Sequence, residues 1–185
     1  RSKSIKYVLN VIPPLGLAYL AAALERDGFP VEIIDCFVDS IDINKIVLRK
    51  PDIVGLTAAT PTFNSALSIA KKIKAVLPSA IIVLGGAHIT AMPFEAMSCG
   101  TFDIGVIGEG EETLSELVKL LSSKLPSLRA NEVSEAISGI KGIIFREGGN
   151  LIITPKRESI MNLDSIQFPA RHLLPPLSRY RPTPA

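Results

Sequence analysis

Along most of the chain, short runs rich in Val, Ile and Leu alternate with longer stretches of helical character. The apolar runs cover residues 31–36, 52–56, 80–84 and 103–107. Runs that are almost continuous in aliphatic side chains are typical of strands buried on both faces. The helical stretches cover residues 15–26, 41–49, 62–77, 93–98 and 111–123. This alternation predicts an α/β fold with a Rossmann-like (flavodoxin-like), doubly wound parallel sheet.

The second half of the chain changes rhythm. Two apolar runs flank Gly148-Gly149-Asn150, which predicts a β-hairpin at residues 140–155, appended to a main domain of residues 1–139. Residues 156–185 are rich in proline and aperiodic, so we expect them to be a linker.

The start of the chain lacks a clear first strand. A flavodoxin-like sheet needs a central strand ahead of the first helix, and residues 5–11 are a poor candidate because Lys6 and Asn10 interrupt them. We therefore expect that the first strand was removed upstream of Arg1.

Small residues follow two of the predicted strands. Thr57-Ala58-Ala59-Thr60 ends one strand, and Gly85-Gly86-Ala87-His88 ends the next. In open α/β sheets the carboxyl ends of the strands border the ligand crevice, and small residues there let a bulky ligand lie against the backbone. These strand ends are therefore a candidate ligand site. The alternative is that Gly85 and Gly86 only form a strand-to-helix turn.

A third glycine-rich loop, Gly108-Glu109-Gly110-Glu111, follows the strand at residues 103–107. Its glutamates suit the first turn of a helix, because carboxylates there interact favourably with the helix dipole. They would also repel a polyphosphate, and no Lys-Ser or Lys-Thr follows as a P-loop requires. No Gly-x-Gly-x-x-Gly follows the first predicted strand either, so phosphate-loop and nicotinamide-binding functions are disfavoured.

Composition gives no sign of a nucleic-acid or membrane partner. The net charge is +2, and the basic residues are scattered rather than gathered in a patch. No apolar run reaches the roughly 18 residues of a membrane helix, and no signal-peptide core is visible, so we expect a cytoplasmic protein. Cys36 and Cys99 are the two cysteines of the sequence, too few for a zinc or iron–sulfur site. We expect this chain to contain neither metal ligands nor catalytic residues.

Four segments, in this order and spacing, resemble the amino-terminal cobalamin-binding domain of cobalamin-dependent radical SAM enzymes. This family includes methyltransferases and the anaerobic magnesium-protoporphyrin monomethyl ester cyclase. The segments are Pro13 to Ala22 and the three strand-end loops at residues 57–61, 85–88 and 108–111. The resemblance implies cobalamin as the cofactor. It implies the following cofactor-binding residues: Pro14, Leu15, Gly16, Thr57, Ala58, Ala59, Thr60, Gly85, Gly86, His88, Gly108, Glu109, Gly110 and Glu111.

The same resemblance implies a partner domain. Radical SAM chemistry needs a Cys-x-x-x-Cys-x-x-Cys triad, which is not in this sequence. The chain is therefore expected not to be catalytic by itself. S-adenosylmethionine and a 4Fe–4S cluster would belong to a radical SAM domain further along the same polypeptide.

The resemblance also bears on how cobalt is held. In other cobalamin proteins an Asp-x-His-x-x-Gly loop gives an imidazole to cobalt, and Ser-x-Leu and Gly-Gly segments house the nucleotide tail. Thr57-Ala58-Ala59 takes the Ser-x-Leu position, and if Gly16 matches the loop glycine, Pro13 takes the histidine position. This implies base-off cobalamin without a protein imidazole. His88 is then interpreted as a polar crevice residue near the tail or as a structural cap.

Two other classes stay open at this point. One is a corrinoid carrier or sensor without a radical SAM domain, and the other is a flavodoxin- or receiver-like module without cobalamin. A receiver would need an acidic cluster and a phosphorylatable Asp at a strand end where this chain has Leu56-Thr57-Ala58. Under the cobalamin interpretation, a Gly86→Val change is expected to abolish cobalamin binding while the fold survives.

Overall fold

The computed structural model describes residues 12–124 and 130–180, and a five-stranded sheet lies at its centre. The strands are β1 (Ile53–Thr57), β2 (Ile81–Gly85), β3 (Ile104–Val106), β4 (Ile143–Glu147) and β5 (Asn150–Ile153), adjacent in that order. The pairs β1/β2 and β2/β3 are parallel, whereas β3/β4 and β4/β5 are antiparallel. The predicted α/β class with an added hairpin is confirmed, and the hairpin continues the main sheet beyond β3.

Seven α-helices surround the sheet within the described residues. They are α1 (Leu15–Arg26), α2 (Ile43–Arg49), α3 (Phe63–Val76), α4 (Ala87–Ala91), α5 (Pro93–Ser98), α6 (Glu111–Lys124) and α7 (Ala130–Ile137). The five predicted helices are present with bounds shifted by at most a few residues. Sequence analysis missed α4 and α7, and α4 is too short to display a helical period.

Two hydrophobic cores lie on opposite faces of the sheet, because successive residues of a strand point to opposite sides. Ile82 and Leu84 of β2 are fully buried in one core with residues of α3, α4 and α5. Val83 lies in the other core, with Leu117 and Leu121 of α6. Burial of each such side chain stabilises the fold by about 1.5–3 kcal/mol. Helices on both faces are the doubly wound arrangement that the sequence predicts.

Helices α1 and α6 pack side by side. Leu20 of α1 approaches Gly110 so closely that a Cβ on this glycine would lie 3.0 Å from Leu20 Cδ2. Asp27, just after α1, accepts a hydrogen bond from Ser115 of α6 and forms an ion pair with Lys119 at 2.9 Å. Hydrogen bonds from Arg26 first, then from Ser115 and Lys119, hold the pKa of Asp27 well below its usual range. Asp27 therefore connects the end of α1 to the middle of α6.

The predicted strand at residues 31–36 is not observed among the described strands. Residues 31–35 form no strand pairing with other described residues, and a turn begins at Cys36. A strand needs a neighbour for its backbone groups, and in the flavodoxin-like order this neighbour would be the first strand. The candidate for that strand, residues 5–11, lies outside the described residues.

Residues 155–180, here called the strap, fold back onto the domain. Ala170 is buried against Ala21 and Ala22 of α1, and its backbone N–H donates to the Ala18 carbonyl at 2.9 Å. Tyr180 is buried near Asp35, and burial together with this carboxylate raises the pKa of Tyr180 to about 12. The proline-rich part of the predicted linker therefore packs on α1 as far as it is described. None of the described helices has the length and apolar character needed to cross a membrane.

Candidate functional site

The ends of β1 and β2 meet at the carboxyl edge of the sheet. Thr57 is in register with Gly85. The backbone N–H of Ala58 donates to the Gly85 carbonyl at 3.1 Å, and that of His88 donates to the Ala58 carbonyl at 3.0 Å. The predicted site segments 57–60 and 85–88 are therefore in direct contact.

Thr90 connects the third loop to these two. Its hydroxyl donates to the Gly86 carbonyl at 2.9 Å and accepts a hydrogen bond from the Gly108 N–H at 3.0 Å. Sequence analysis missed Thr90. The available signal was a threonine four residues after a glycine at a helix start, where its hydroxyl can reach the preceding carbonyl. Gly108 is thereby held beside the Gly-Gly turn.

Gly86 is required by the protein's own packing. Its φ is +97°, and a Cβ there would lie 2.6 Å from Thr57 Oγ1 and 2.8 Å from the Ala58 carbonyl oxygen. Atoms of that kind cannot approach so closely, so the end of β1 would have to move. The expectation that the fold survives a Gly86→Val change conflicts with this geometry. At Gly85, by contrast, the nearest atom to an added Cβ is the Leu56 carbonyl oxygen at 4.0 Å.

An open strip of small residues, Gly55, Thr57 and Gly85, lies on one face of β1 and β2. Strand alternation puts these three residues on the face of Val83. Gly55 and Thr57 are exposed, and a Cβ on Gly55 would meet no atom within 4 Å. Gly55 is a candidate site residue that sequence analysis missed, although a glycine inside a strand often marks close approach of a ligand.

His88 is buried and faces the loop that follows β1. Only 3% of its surface is exposed, and its Nδ1 lies 3.2 Å from Thr60 Oγ1. Its ring centroid is 4.1 Å from that of Phe63. Nε2 is buried without a hydrogen-bond partner among the described residues. The imidazole is therefore held against the loop instead of standing free at the sheet edge.

Glu109 and Gly110, in the loop at residues 108–111, contact other parts of the protein. Glu109 Oε2 accepts a hydrogen bond from the Ile160 N–H of the strap at 3.0 Å, and Gly110 packs against Leu20. Glu111 begins α6, where its carboxylate suits the helix N-terminus.

The remaining predicted segment, residues 14–16, lies at the start of α1. Pro14 precedes the helix, Leu15 is partly exposed, and a Cβ on Gly16 would meet no atom within 4 Å. Leu15 lines a cavity of about 440 Å³ together with Ile12, Pro13 and strap residues between 171 and 177. In the described structure this segment borders the strap, and it does not share the hydrogen bonds that join the three strand-end loops.

Comparison with protein families bears on the open interpretations. Residues 4–118 match the family described as the B12 binding domain. The chain belongs to the B12-binding domain family. All four predicted site segments of this B12-binding domain lie inside the matched residues. The match favours cobalamin over a flavodoxin- or receiver-like module.

Curated relatives of the B12-binding domain are longer than this chain. It is 38% identical over 184 residues to an uncharacterised methyltransferase of Pyrococcus horikoshii, covering 96% of this chain and 38% of the relative. It is 34% identical over 160 residues to the anaerobic magnesium-protoporphyrin IX monomethyl ester cyclase of Cereibacter sphaeroides, covering 83% of this chain and 25% of the relative. The chain therefore spans less than two fifths of these relatives' length.

A solved structure shares the fold. The radical S-adenosylmethionine methyltransferase TsrM from Kitasatospora setae, solved with cobalamin and a 4Fe–4S cluster bound, superposes with a TM-score of 0.65. The sequences are 25% identical, and the match covers 78% of this chain and 28% of TsrM. The B12-binding domain therefore has the architecture of a known cobalamin protein.

Proposed function

We propose that this chain is the cobalamin-binding part of a cobalamin-dependent radical SAM enzyme, of the methyltransferase or magnesium-protoporphyrin ester cyclase type. The observation that carries the proposal is the B12-binding family match over residues 4–118, which contains all three joined strand-end loops. The named relatives and TsrM support the radical SAM assignment over a free-standing carrier or sensor. The chain would not be catalytic by itself.

The residues at the strand ends suit this cofactor. The strip of Gly55, Thr57 and Gly85 offers open backbone and one hydroxyl, which fits a large ligand with an elongated nucleotide tail. We assign the tail to this strip. The Thr60 hydroxyl and the Gly108 backbone would border the ligand at the sheet edge. The carboxylate of Glu109 is directed to the strap amide at Ile160, so we assign it a structural contribution to the site.

The two histidines support binding without a protein imidazole on cobalt. His88 Nδ1 is engaged with Thr60, and His172 Nε2 lies 2.9 Å from Glu25 Oε1. Pro13 takes the position of a ligating histidine if Gly16 matches the glycine of the Asp-x-His-x-x-Gly loop, and it has no side-chain nitrogen that could coordinate a metal. When bound, cobalamin would supply methyl-transfer chemistry at its cobalt, and this chain's residues would hold the tail and leave the upper face accessible.

The partner domain is part of the proposal. S-adenosylmethionine and a 4Fe–4S cluster would be held by a radical SAM domain of the same polypeptide, and residues 156–185 would lead to it. Cys36 and Cys99 are exposed and unpaired, which suits the reducing cytoplasm. We place the protein there, with neither a nucleic-acid nor a membrane partner.

The proposal is tested by titrating the purified protein with hydroxocobalamin and measuring visible absorbance after desalting. We expect one cobalamin to remain bound, with a base-off spectrum. Gly85→Val, whose side chain would intrude on the open strip, should weaken binding at least about tenfold, a loss of about 1.4 kcal/mol. Gly139→Val is a matched control, because a Cβ there meets no atom within 4 Å and it lies outside the strip. Failure of both this chain and the full-length protein to retain cobalamin would reject the proposal.

A further inference from the structure

The contacts of His88 are concentrated on one loop, residues 58–63, here called the Thr60 loop. The backbone N–H of His88 donates to the Ala58 carbonyl at 3.0 Å, and the Nδ1 of His88 lies 3.2 Å from Thr60 Oγ1. Its ring packs on Phe63 at a centroid distance of 4.1 Å. His88 therefore contacts the start of the loop through its backbone, and the middle and end of the loop through its side chain.

The Thr60 loop has few other supports. Ala59, Thr60 and Pro61 are exposed. Thr62 Oγ1 accepts a hydrogen bond from the Ala59 N–H at 3.0 Å and donates to the Ala59 carbonyl at 3.1 Å, but these bonds lie within the loop itself. Within the described structure, His88 provides the side-chain hydrogen bond that ties the exposed part of the loop to another element.

Packing alone does not account for a histidine at this position. Burial removes the imidazole from water, and Nε2 is left without a hydrogen-bond partner among the described residues. A buried polar atom without a partner is destabilising, so an apolar side chain of similar size would pack there at lower cost. What the imidazole adds over such a side chain is its hydrogen bond to Thr60.

We propose that His88 is a positioning residue that fixes the Thr60 loop, through the Thr60 hydroxyl, in the shape that binds the corrinoid. The inference rests on the proposed function, because the loop borders the strand ends where cobalamin is assigned. A loop that is ordered before binding loses less conformational entropy when the ligand arrives. His88 would therefore raise cofactor affinity without touching cobalt.

Substitution of His88 by Asn or by Gln tests the contributions of the two ring nitrogens one at a time. The amide of His88→Asn lies near the position of Nδ1 and can keep the bond to Thr60, whereas that of His88→Gln extends toward the position of Nε2. His88→Phe keeps the ring and the contact with Phe63 but has no hydrogen-bonding atom. Thr60→Val removes the other partner at an exposed position, so this variant should fold even if a His88 variant does not.

The experiment measures the dissociation constant for hydroxocobalamin and the thermal midpoint of the cofactor-free protein for each variant. We expect His88→Phe, His88→Gln and Thr60→Val to weaken binding by about three- to tenfold, the loss of one hydrogen bond. His88→Asn should bind within about threefold of the wild type. The double variant His88→Phe/Thr60→Val should bind no more weakly than either single variant, because both changes remove one shared contact.

Three results would overturn the inference. They are wild-type affinity in His88→Phe and Thr60→Val, additive losses in the double variant, and a lowered thermal midpoint with unchanged affinity. A wild-type protein that does not bind hydroxocobalamin would instead contradict the proposed function itself. The two failures are therefore distinguishable.

Discussion

Gly85 and Gly86 are adjacent in the sequence, yet the structure constrains them differently. Gly86 has a φ of +97° and faces Thr57 and Ala58 at distances that exclude a Cβ. Gly85 belongs to β2, and its nearest atom to an added Cβ is at 4.0 Å. One glycine is needed by the fold, and the other leaves room for a ligand.

This difference predicts that alanine substitutions at the two glycines change the free energy of unfolding by different amounts. Gly86→Ala should lower the free energy of unfolding by at least about 2 kcal/mol, because it combines a strained backbone with a steric clash. Gly85→Ala should change it by less than about 1 kcal/mol, since the site is open and extended. Urea unfolding of the cofactor-free protein measures both. Equal losses in the two variants would contradict the assignment.

At the level of single residues, the sequence predicts that small residues gather at the strand ends, and the contacts of residues 57–58, 85–86 and 108 agree. It does not reveal which glycine serves packing and which serves a ligand, because that depends on the distance between two strands. Thr90 and Gly55 were missed for the same reason. Their roles depend on neighbours that are far away along the chain.

Among the elements, α1 and α6 are joined by Asp27. The lowered pKa of this carboxylate means that its charged form is stabilised in the folded state. The contribution to stability is therefore complete above the unfolded pKa, about 4 for an aspartate, and is lost as the pH falls below it.

Replacing Asp27 with Asn should lower the thermal midpoint at pH 7 and reduce its fall between pH 5 and pH 3. Asp52→Asn, at an exposed position before β1, is the control and should keep the wild-type slope. Thermal unfolding followed by circular dichroism at each pH gives the comparison. A wild-type slope in Asp27→Asn would show that the ionised carboxylate does not stabilise the folded state.

Most helices and the three main strands could be predicted because their apolar period or continuous aliphatic run is a local property of the sequence. The segment at residues 31–36 has the same local pattern, but a strand also requires a paired neighbour, which the pattern does not report. The five-residue helix α4 is shorter than two turns and therefore has no detectable period. Pairing and length, more than propensity, limit prediction at this scale.

For the molecule as a whole, the strap makes the segment after the hairpin part of the domain. Ala170 is buried against Ala21 and Ala22, Tyr180 is buried near Asp35, and Arg179 forms an ion pair with Asp39 at 3.0 Å. Proline content in the sequence predicts an irregular segment but says nothing about where it packs. The strap also contacts the candidate site directly, through Ile160 and Glu109.

Ala170→Glu should detach the strap, because a carboxylate cannot be buried between the alanines of α1 without a partner. Trypsin should then cleave after Arg171 at least about tenfold faster, as expected when a local opening equilibrium shifts by about 1.4 kcal/mol. Phe168→Glu is the control, since Phe168 is 95% exposed. If cleavage is equally fast in the wild type, the strap is not held as described.

The central claim is that the strand-end site binds cobalamin with the nucleotide tail displaced and without a protein imidazole on cobalt. Electron paramagnetic resonance of the protein-bound cob(II)alamin tests it directly, because an axial nitrogen splits the cobalt lines. We predict a spectrum without nitrogen splitting. A spectrum with nitrogen splitting that disappears in His88→Ala or His172→Ala would identify a protein ligand, and splitting that persists in both would show that the tail stays on cobalt; either result would contradict the account.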